Sequence, residues 1–147
     1  MIAERQAARR IALQGLYQVD VQGEEFLSLP LQEFVNESTE DPKTREIALF
    51  MTRGAWGFRM TADAWFGRLA EKWPVHRMAT VDRNILRLAA WEITNVNNTP
   101  PKVVLDEAIN MAKEFSTADS APFINGVLDA VLREHLAAAG QSLGKNS

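Results

Sequence analysis

Apolar residues in this chain recur every three to four positions, in successive blocks separated by polar or Pro-containing breaks. That period lines one face of a helix, whereas a strand needs alternation. Over 3–20, at about 100° per residue, Ala8, Ile11, Ala12, Leu16 and Val19 fall on one side and Gln6, Arg10, Gln14 and Tyr17 on another. Residues 24–37 form a second candidate, weakened by Pro30. Asp41-Pro42 reads as a cap followed by Pro at the first helical position. It opens a long helix from 42 to about 72, carried by Ile47, Phe50, Met51, Phe58, Ala62, Trp65 and Leu69 and stopped by Pro74. Gly54 and Gly57 lie inside it and mark a bend or a helix crossing.

Thr80 is placed to cap the next helix, with Asp82 in its first turn and Val81, Ile85, Leu88, Ala89 and Ile93 as its apolar face. The run Asn95 to Pro101 breaks it. Helical spacing resumes over 101–115 through Val104, Leu105, Ala108, Ile109, Ala112 and Phe115. Ser116 to Ser120 is a loop, in which Ser116 or Ser120 can cap a last helix over about 121–138. Gly126 sits within that helix at a cost of about 1 kcal/mol against Ala, which suggests that another element approaches closely. No stretch alternates as a strand does. The expected fold is all-α: one compact domain over 1–139, built from six or seven helices, with a flexible tail over 140–147.

A length of 147 residues with 46% apolar content suits a single core. No apolar run reaches the roughly 18 residues of a membrane span, and no signal-peptide pattern opens the chain, which fits a cytoplasmic protein without membrane contact. The absence of cysteine excludes disulfides and thiolate metal sites. His76 and His135 have no metal-ligand spacing, and neither a phosphate-binding glycine loop nor a nucleophile elbow is present. Asp106-Glu107 are adjacent carboxylates that diverge on a helix and suit its N-terminal turn. Nothing points to an enzyme, a cofactor or a metal. The net charge of −3 conceals an asymmetry: 21–46 carries seven acids against Lys43 and Arg45, and 53–87 carries seven cations against Asp63, Glu71 and Asp82. Cations gathered on one face bind nucleic acid even in an acidic chain, although most charged stretches are solvated helix faces.

Two places carry binding chemistry. Arg5, Arg9 and Arg10 share the first helix with Tyr17, two turns beyond Arg10. Arginine forks grip phosphates and rings stack on unpaired bases, which suits single-stranded RNA. The other reading packs Tyr17 under the next helix and pairs the arginines with Glu24 or Glu25. At the far end, Phe123 falls in a first helical turn, where free N–H groups and the helix dipole attract anions. It serves either as a stacking platform or as core. Pattern alone favours the core reading, since most apolar residues at helical spacing are buried, and Ile124, Val127 and Val131 are also placed to hold the core.

Several pieces, in order, resemble the NusB family of bacterial transcription antitermination factors. They are Arg9 through Leu16-Tyr17; Val81-Asp82-Arg83-Asn84-Ile85-Leu86-Arg87-Leu88-Ala89; Glu92; Pro101-Lys102-Val103; Asp106-Glu107-Ala108; Ala112-Lys113; and Asp119-Ser120 through Phe123-Ile124-Asn125-Gly126-Val127-Leu128-Asp129. The resemblance implies two small packed helical bundles. It implies binding of boxA-type RNA in nascent ribosomal-RNA transcripts through Arg5, Arg9, Arg10, Tyr17, Asp119, Phe123 and Asn125. It implies a protein contact at Asp82, Arg83 and Glu92 with NusE, a small-subunit ribosomal protein. The pair would join the RNA polymerase elongation complex and carry it past terminators, and some relatives also form homodimers. The first helix departs from the family's denser arginine cluster by having Gln6 and Ala7 between Arg5 and Arg9. Two other readings stand beside this one: a NusB-like domain of a ribosomal-RNA cytosine methyltransferase, and a helical dimerisation module with no RNA role.

Overall fold

The computed structural model describes residues 2–70 and 72–146, with side chains to Gly140. Six α-helices and two short 3-10 turns make up the described residues, with no strand: α1 (Ile2–Gln22), α2 (Leu29–Ser38), α3 (Pro42–Leu69), α4 (Thr80–Asn95), α5 (Pro101–Phe115) and α6 (Ser120–Asn146), with the 3-10 turns at Glu24–Leu27 and Val75–Arg77. The all-helical reading therefore holds, with helix breaks where Pro and polar runs predicted them. Helix α6 continues through Asn146, across most of the stretch expected as a tail, and Ser147 lies outside the described residues. No helix among the described residues is long and apolar enough to cross a membrane.

The helices pack in two groups that share α4. Helices α1 and α3 lie against one side of it, with α2 seated on both, and α5 and α6 lie against the other. Sandwiched this way, α4 is buried all round: every residue from Asn84 to Ile93 is buried. Phe66, Leu16, Leu31, Ile85, Leu86, Leu88, Met111, Ile124 and Leu128 are among the largest fully buried side chains. Asp41 caps α3 as expected, accepting from the Thr44 backbone N–H at 2.9 Å and from its hydroxyl at 2.6 Å. Those bonds hold its carboxyl below the usual range.

Three local expectations are corrected. Pro30 does not weaken α2: it sits in the first turn, where its missing N–H has no helical partner to lose. Thr80 is the first helical residue of α4, and Ala79 takes the cap position without a side-chain bond. Gly126 is exposed and open, with nothing within 4 Å of where a Cβ would stand, so no neighbour explains it. Gly54 is the glycine that permits a crossing. A Cβ there would lie 2.3 Å from Trp91 Cζ2, and the Trp91 ring is buried. Gly57, one turn on, faces open space.

The close approach at Gly54 gives a first expected result. Gly54→Ala gains about 1 kcal/mol of helix propensity. It also drives a methyl into a ring with nowhere to go, at a cost of typically 1–3 kcal/mol. The variant should melt lower than the parent in circular dichroism, and an unchanged or higher midpoint would show that Trp91 swings aside freely.

Candidate nucleic-acid interface

Helix α1 presents two different faces. Its inner face buries Ala8, Ile11, Ala12, Leu13, Leu16 and Val19, and also Arg9. Its outer stripe of Gln6, Arg10, Gln14 and Tyr17 is open to solvent in the order the periodicity predicted, with Arg10 half-buried. Tyr17 is 39% exposed.

The three arginines of the first helix separate by environment. Arg5 is half-buried and donates to the Asn98 carbonyl and the Thr99 hydroxyl, both at 3.3 Å. Arg10 spans to α5, pairing with Glu114 at 2.9 Å and Glu107 at 3.2 Å. A phosphate approaching it must compete with two carboxylates. Arg9 is only 3% exposed and clasps Glu92 through two bonds, Nε to Oε1 at 2.9 Å and Nη2 to Oε2 at 2.7 Å. The expectations for Arg9 as an RNA contact and Glu92 as a protein contact are therefore corrected: each neutralises the other inside the fold, and neither reaches the surface.

Arg83 and Asp82 also turn inward. Arg83 donates to Asp20 at 2.7 Å, in a network where Arg87 binds both Asp20 (2.9 Å) and Asp63 (2.7 Å) and Asn84 bonds Asp20 at 2.9 Å. Asp82 accepts from the Ser116 hydroxyl at 2.6 Å and the Ser120 hydroxyl at 2.9 Å. The serine hydroxyls expected to cap α6 thus tie the α5–α6 loop to the first turn of α4. Both carboxylate oxygens of Asp82 are engaged, so a protein contact there must share or displace these bonds.

An apolar cleft of about 150 Å³ opens beside Tyr17, lined by Leu13, Gln14, Gln18, Phe34, Val81 and Phe115. Helices α1, α2, α4 and α5 each contribute to it. Phe115 of its lining precedes Ser116, which with Ser120 at the start of α6 bonds Asp82. Asp119 and Asn125 are exposed at that end. Phe123 is half-buried and packs on the core, while Ile124, Val127 and Val131 are buried as expected. Phe123 thus shows part of its ring to each of its two readings. Phe115 and Phe34 are the site residues that sequence reading missed. Phe115 closes the apolar stripe of α5, and nothing local distinguishes it from a core position. Asp106 is exposed, while Glu107 is buried and accepts from Gln6 at 3.1 Å, tying α5 to α1. Among the described residues, no group of three His, Cys, Asp or Glu side chains could hold a metal.

The arrangement offers a polar and cationic stripe on α1, an aromatic-lined cleft that Gln14 and Tyr17 of that stripe enter, and the N-terminus of α6, tied to α4 through Asp82. Such a surface holds a flexible strand by stacking and by phosphate contacts. Its cations are largely offset by acids, so shape and stacking carry more of its capacity than charge.

Comparison with known proteins adds four findings. The model of the NusB family matches residues 6–133. The transcription antitermination protein NusB of Symbiobacterium thermophilum is 40% identical over 143 residues, covering 92% of this chain and 94% of that protein. Among solved structures, T. maritima NusB superposes with a TM-score of 0.77 at 33% identity, over 89% of this chain and 92% of that one. A structure of the antitermination factors NusB and NusE in complex with dsRNA gives a TM-score of 0.78 at 25% identity, over 91% and 99%.

Proposed function

The chain belongs to the NusB family, and from that premise we propose that it is a transcription antitermination factor that binds boxA-type RNA of nascent ribosomal-RNA transcripts together with NusE. The observation that carries the RNA reading is the stripe of half-buried Arg10 with exposed Gln14 and Tyr17 on α1, whose Gln14 and Tyr17 line the same cleft as Phe115. Arg5 and Arg10 meet phosphates, Tyr17 stacks on a base, and the strand passes the Asp82 junction toward Asp119, Phe123 and Asn125. The solved relative bound to NusE and dsRNA supports both partner classes, and single-stranded boxA is the narrower choice made for this chain. NusE meets the α4 first turn near Asp82. The pair joins the elongating polymerase in the cytoplasm. The family is one of RNA-binding transcription factors, so no reaction is assigned.

Calorimetric titration of a boxA-type oligonucleotide, with and without NusE, tests this reading. Tyr17→Ala should weaken RNA binding by about 1–3 kcal/mol, the usual effect of losing one aromatic stack. Arg5→Ala with Arg10→Ala should flatten the salt dependence by about 0.7 for each phosphate no longer held. Phe123→Ala should lower RNA affinity while moving stability less than the about 3–5 kcal/mol of a fully buried Phe. Unchanged affinity and salt slope in all three folded variants would remove this surface from the RNA site. A homodimer covering α1 would show instead as RNA affinity that falls with rising protein concentration.

A further inference from the structure

We propose that the loop over 72–77, between α3 and α4, is a second contact for single-stranded nucleic acid, with Trp73 stacking on a base and Lys72 and Arg77 meeting its phosphates. This rests on the RNA-binding reading above and extends the path of the strand beyond the Tyr17 cleft.

The four tryptophans set Trp73 apart. Trp56 donates its indole N–H to Glu24 at 3.2 Å and carries the Arg59 guanidinium 4.3 Å over its ring. Trp65 donates to Glu134. Trp91 lies on Gly54 and meets the Phe50 ring edge-on at 5.3 Å between centroids. Trp73 is 52% exposed, and among the described residues it has neither a side-chain hydrogen bond nor a ring partner. A large ring left in water keeps most of its burial free energy available to a partner.

Many of the cations are neutralised: Arg9, Arg10, Arg59, Arg68, Arg83 and Arg87 are held in ion pairs. Lys72 and Arg77 join Arg53, Lys102 and Lys113 as exposed cations with no ion pair among the described residues. His76, also exposed, adds a second ring between them.

The loop is held in shape, which lowers the ordering cost of binding. Trp73 N–H donates to Ala70 at 2.9 Å, Arg77 N–H to Pro74 at 2.9 Å and Met78 N–H to Val75 at 3.1 Å. Met78 is buried and Val75 packs on the core, so the loop is anchored at its C-terminal side. It also adjoins the cleft. Arg77 precedes the cleft residue Val81 by four positions, a chain distance of at most about 14 Å, which a few nucleotides span. A flat exposed ring beside two cations that have no ion pair among the described residues fits bases and phosphates better than it fits a folded peptide.

The test uses the full chain and two RNAs: a boxA-type oligonucleotide, and the same oligonucleotide extended by a uridine tract at each end. Wild type should bind the extended RNA more tightly. Trp73→Ala should lose about five- to tenfold in affinity for the extended RNA, the scale of a single base stack. Lys72→Gln with Arg77→Gln should lower the salt slope by about 1.4, at about 0.7 for each phosphate. Tryptophan emission should fall on titration of wild type and fall less in Trp73→Phe. Melting temperatures should stay close to wild type, because these side chains are exposed. Unchanged affinity, slope and quenching for the extended RNA, with boxA binding intact, would overturn this proposal alone. Wild type that binds neither RNA would overturn it together with the function proposed above. Unchanged RNA affinity with a weakened NusE complex would give the loop to the protein partner and overturn the nucleic-acid assignment.

Discussion

Arg9→Ala will lower the stability of the fold by about 3–5 kcal/mol, the usual cost of removing one partner of a buried ion pair. The reason lies near the C-terminal end of α4. The Glu92 side chain is 2% exposed, and its carboxylate is bound through both oxygens by the Arg9 guanidinium. Without that partner, a buried negative charge loses its compensation and water cannot reach it. Urea denaturation near neutral pH measures the loss. The double variant Arg9→Met with Glu92→Leu removes both charges and fills similar volume, so it should recover most of the loss, as replaced buried pairs often do. RNA binding separates the structural role from the functional one. The folded double variant should bind boxA-type RNA as the parent does, and a clear fall in its affinity would place Arg9 at the RNA after all.

Arg87→Met will cost about 3 kcal/mol on similar grounds, because it takes the ion-pair partner from Asp63 and one of two arginines from Asp20. Arg87 links Asp20 of α1 and Asp63 of α3 to α4 and lies 5.7 Å from the Trp56 ring. The loss should carry a pH signature. Burial pushes the Asp20 carboxyl up, but hydrogen bonds from Arg83 and Asn84 and the charges of Arg87 and Arg83 outweigh it and hold it below its ordinary value. A carboxyl depressed in the folded state contributes stability in full above its unfolded value, about 3.9. That contribution is lost as pH falls through the lower, folded value. Removing Arg87 weakens the depression, so the acid limb of stability against pH should be shallower in the variant. Denaturant midpoints from neutral pH down to about pH 2.5 compare the two. Parallel acid limbs would show that Arg83 and Asn84 hold Asp20 without help from Arg87.

Both results concern charges that look alike in the sequence and differ in the fold. Arg9 and Arg10 are neighbours on one helix. A rotation of about 100° sends the first into the core against Glu92 and leaves the second between Glu107 and Glu114 at the surface. Arg83 and Arg87 read as an exposed basic stretch, yet both end on Asp20. Periodicity did separate the apolar face of α1 from the stripe of Gln6, Arg10, Gln14 and Tyr17, because that division needs only the helical repeat. It did not find Phe115 or Phe34 beside Tyr17, because a cleft lined by four helices has no local signature.

The glycines make the same division. Gly54 and Gly126 each interrupt a helical pattern at the same intrinsic cost, and each could mark a crossing. Trp91 lies over the first, and the second faces open space. Helix starts and stops were legible, because caps, prolines and the repeat of apolar residues act within a few positions of themselves: Asp41-Pro42 opens α3, the run from Asn95 to Pro101 separates α4 from α5, and Ser116 ends α5. The partners of the charges, the role of each glycine and the walls of the cleft were settled only by packing. They depend on which helices meet around α4, and pairings between residues 24 to 104 positions apart leave no mark on the local pattern of either one.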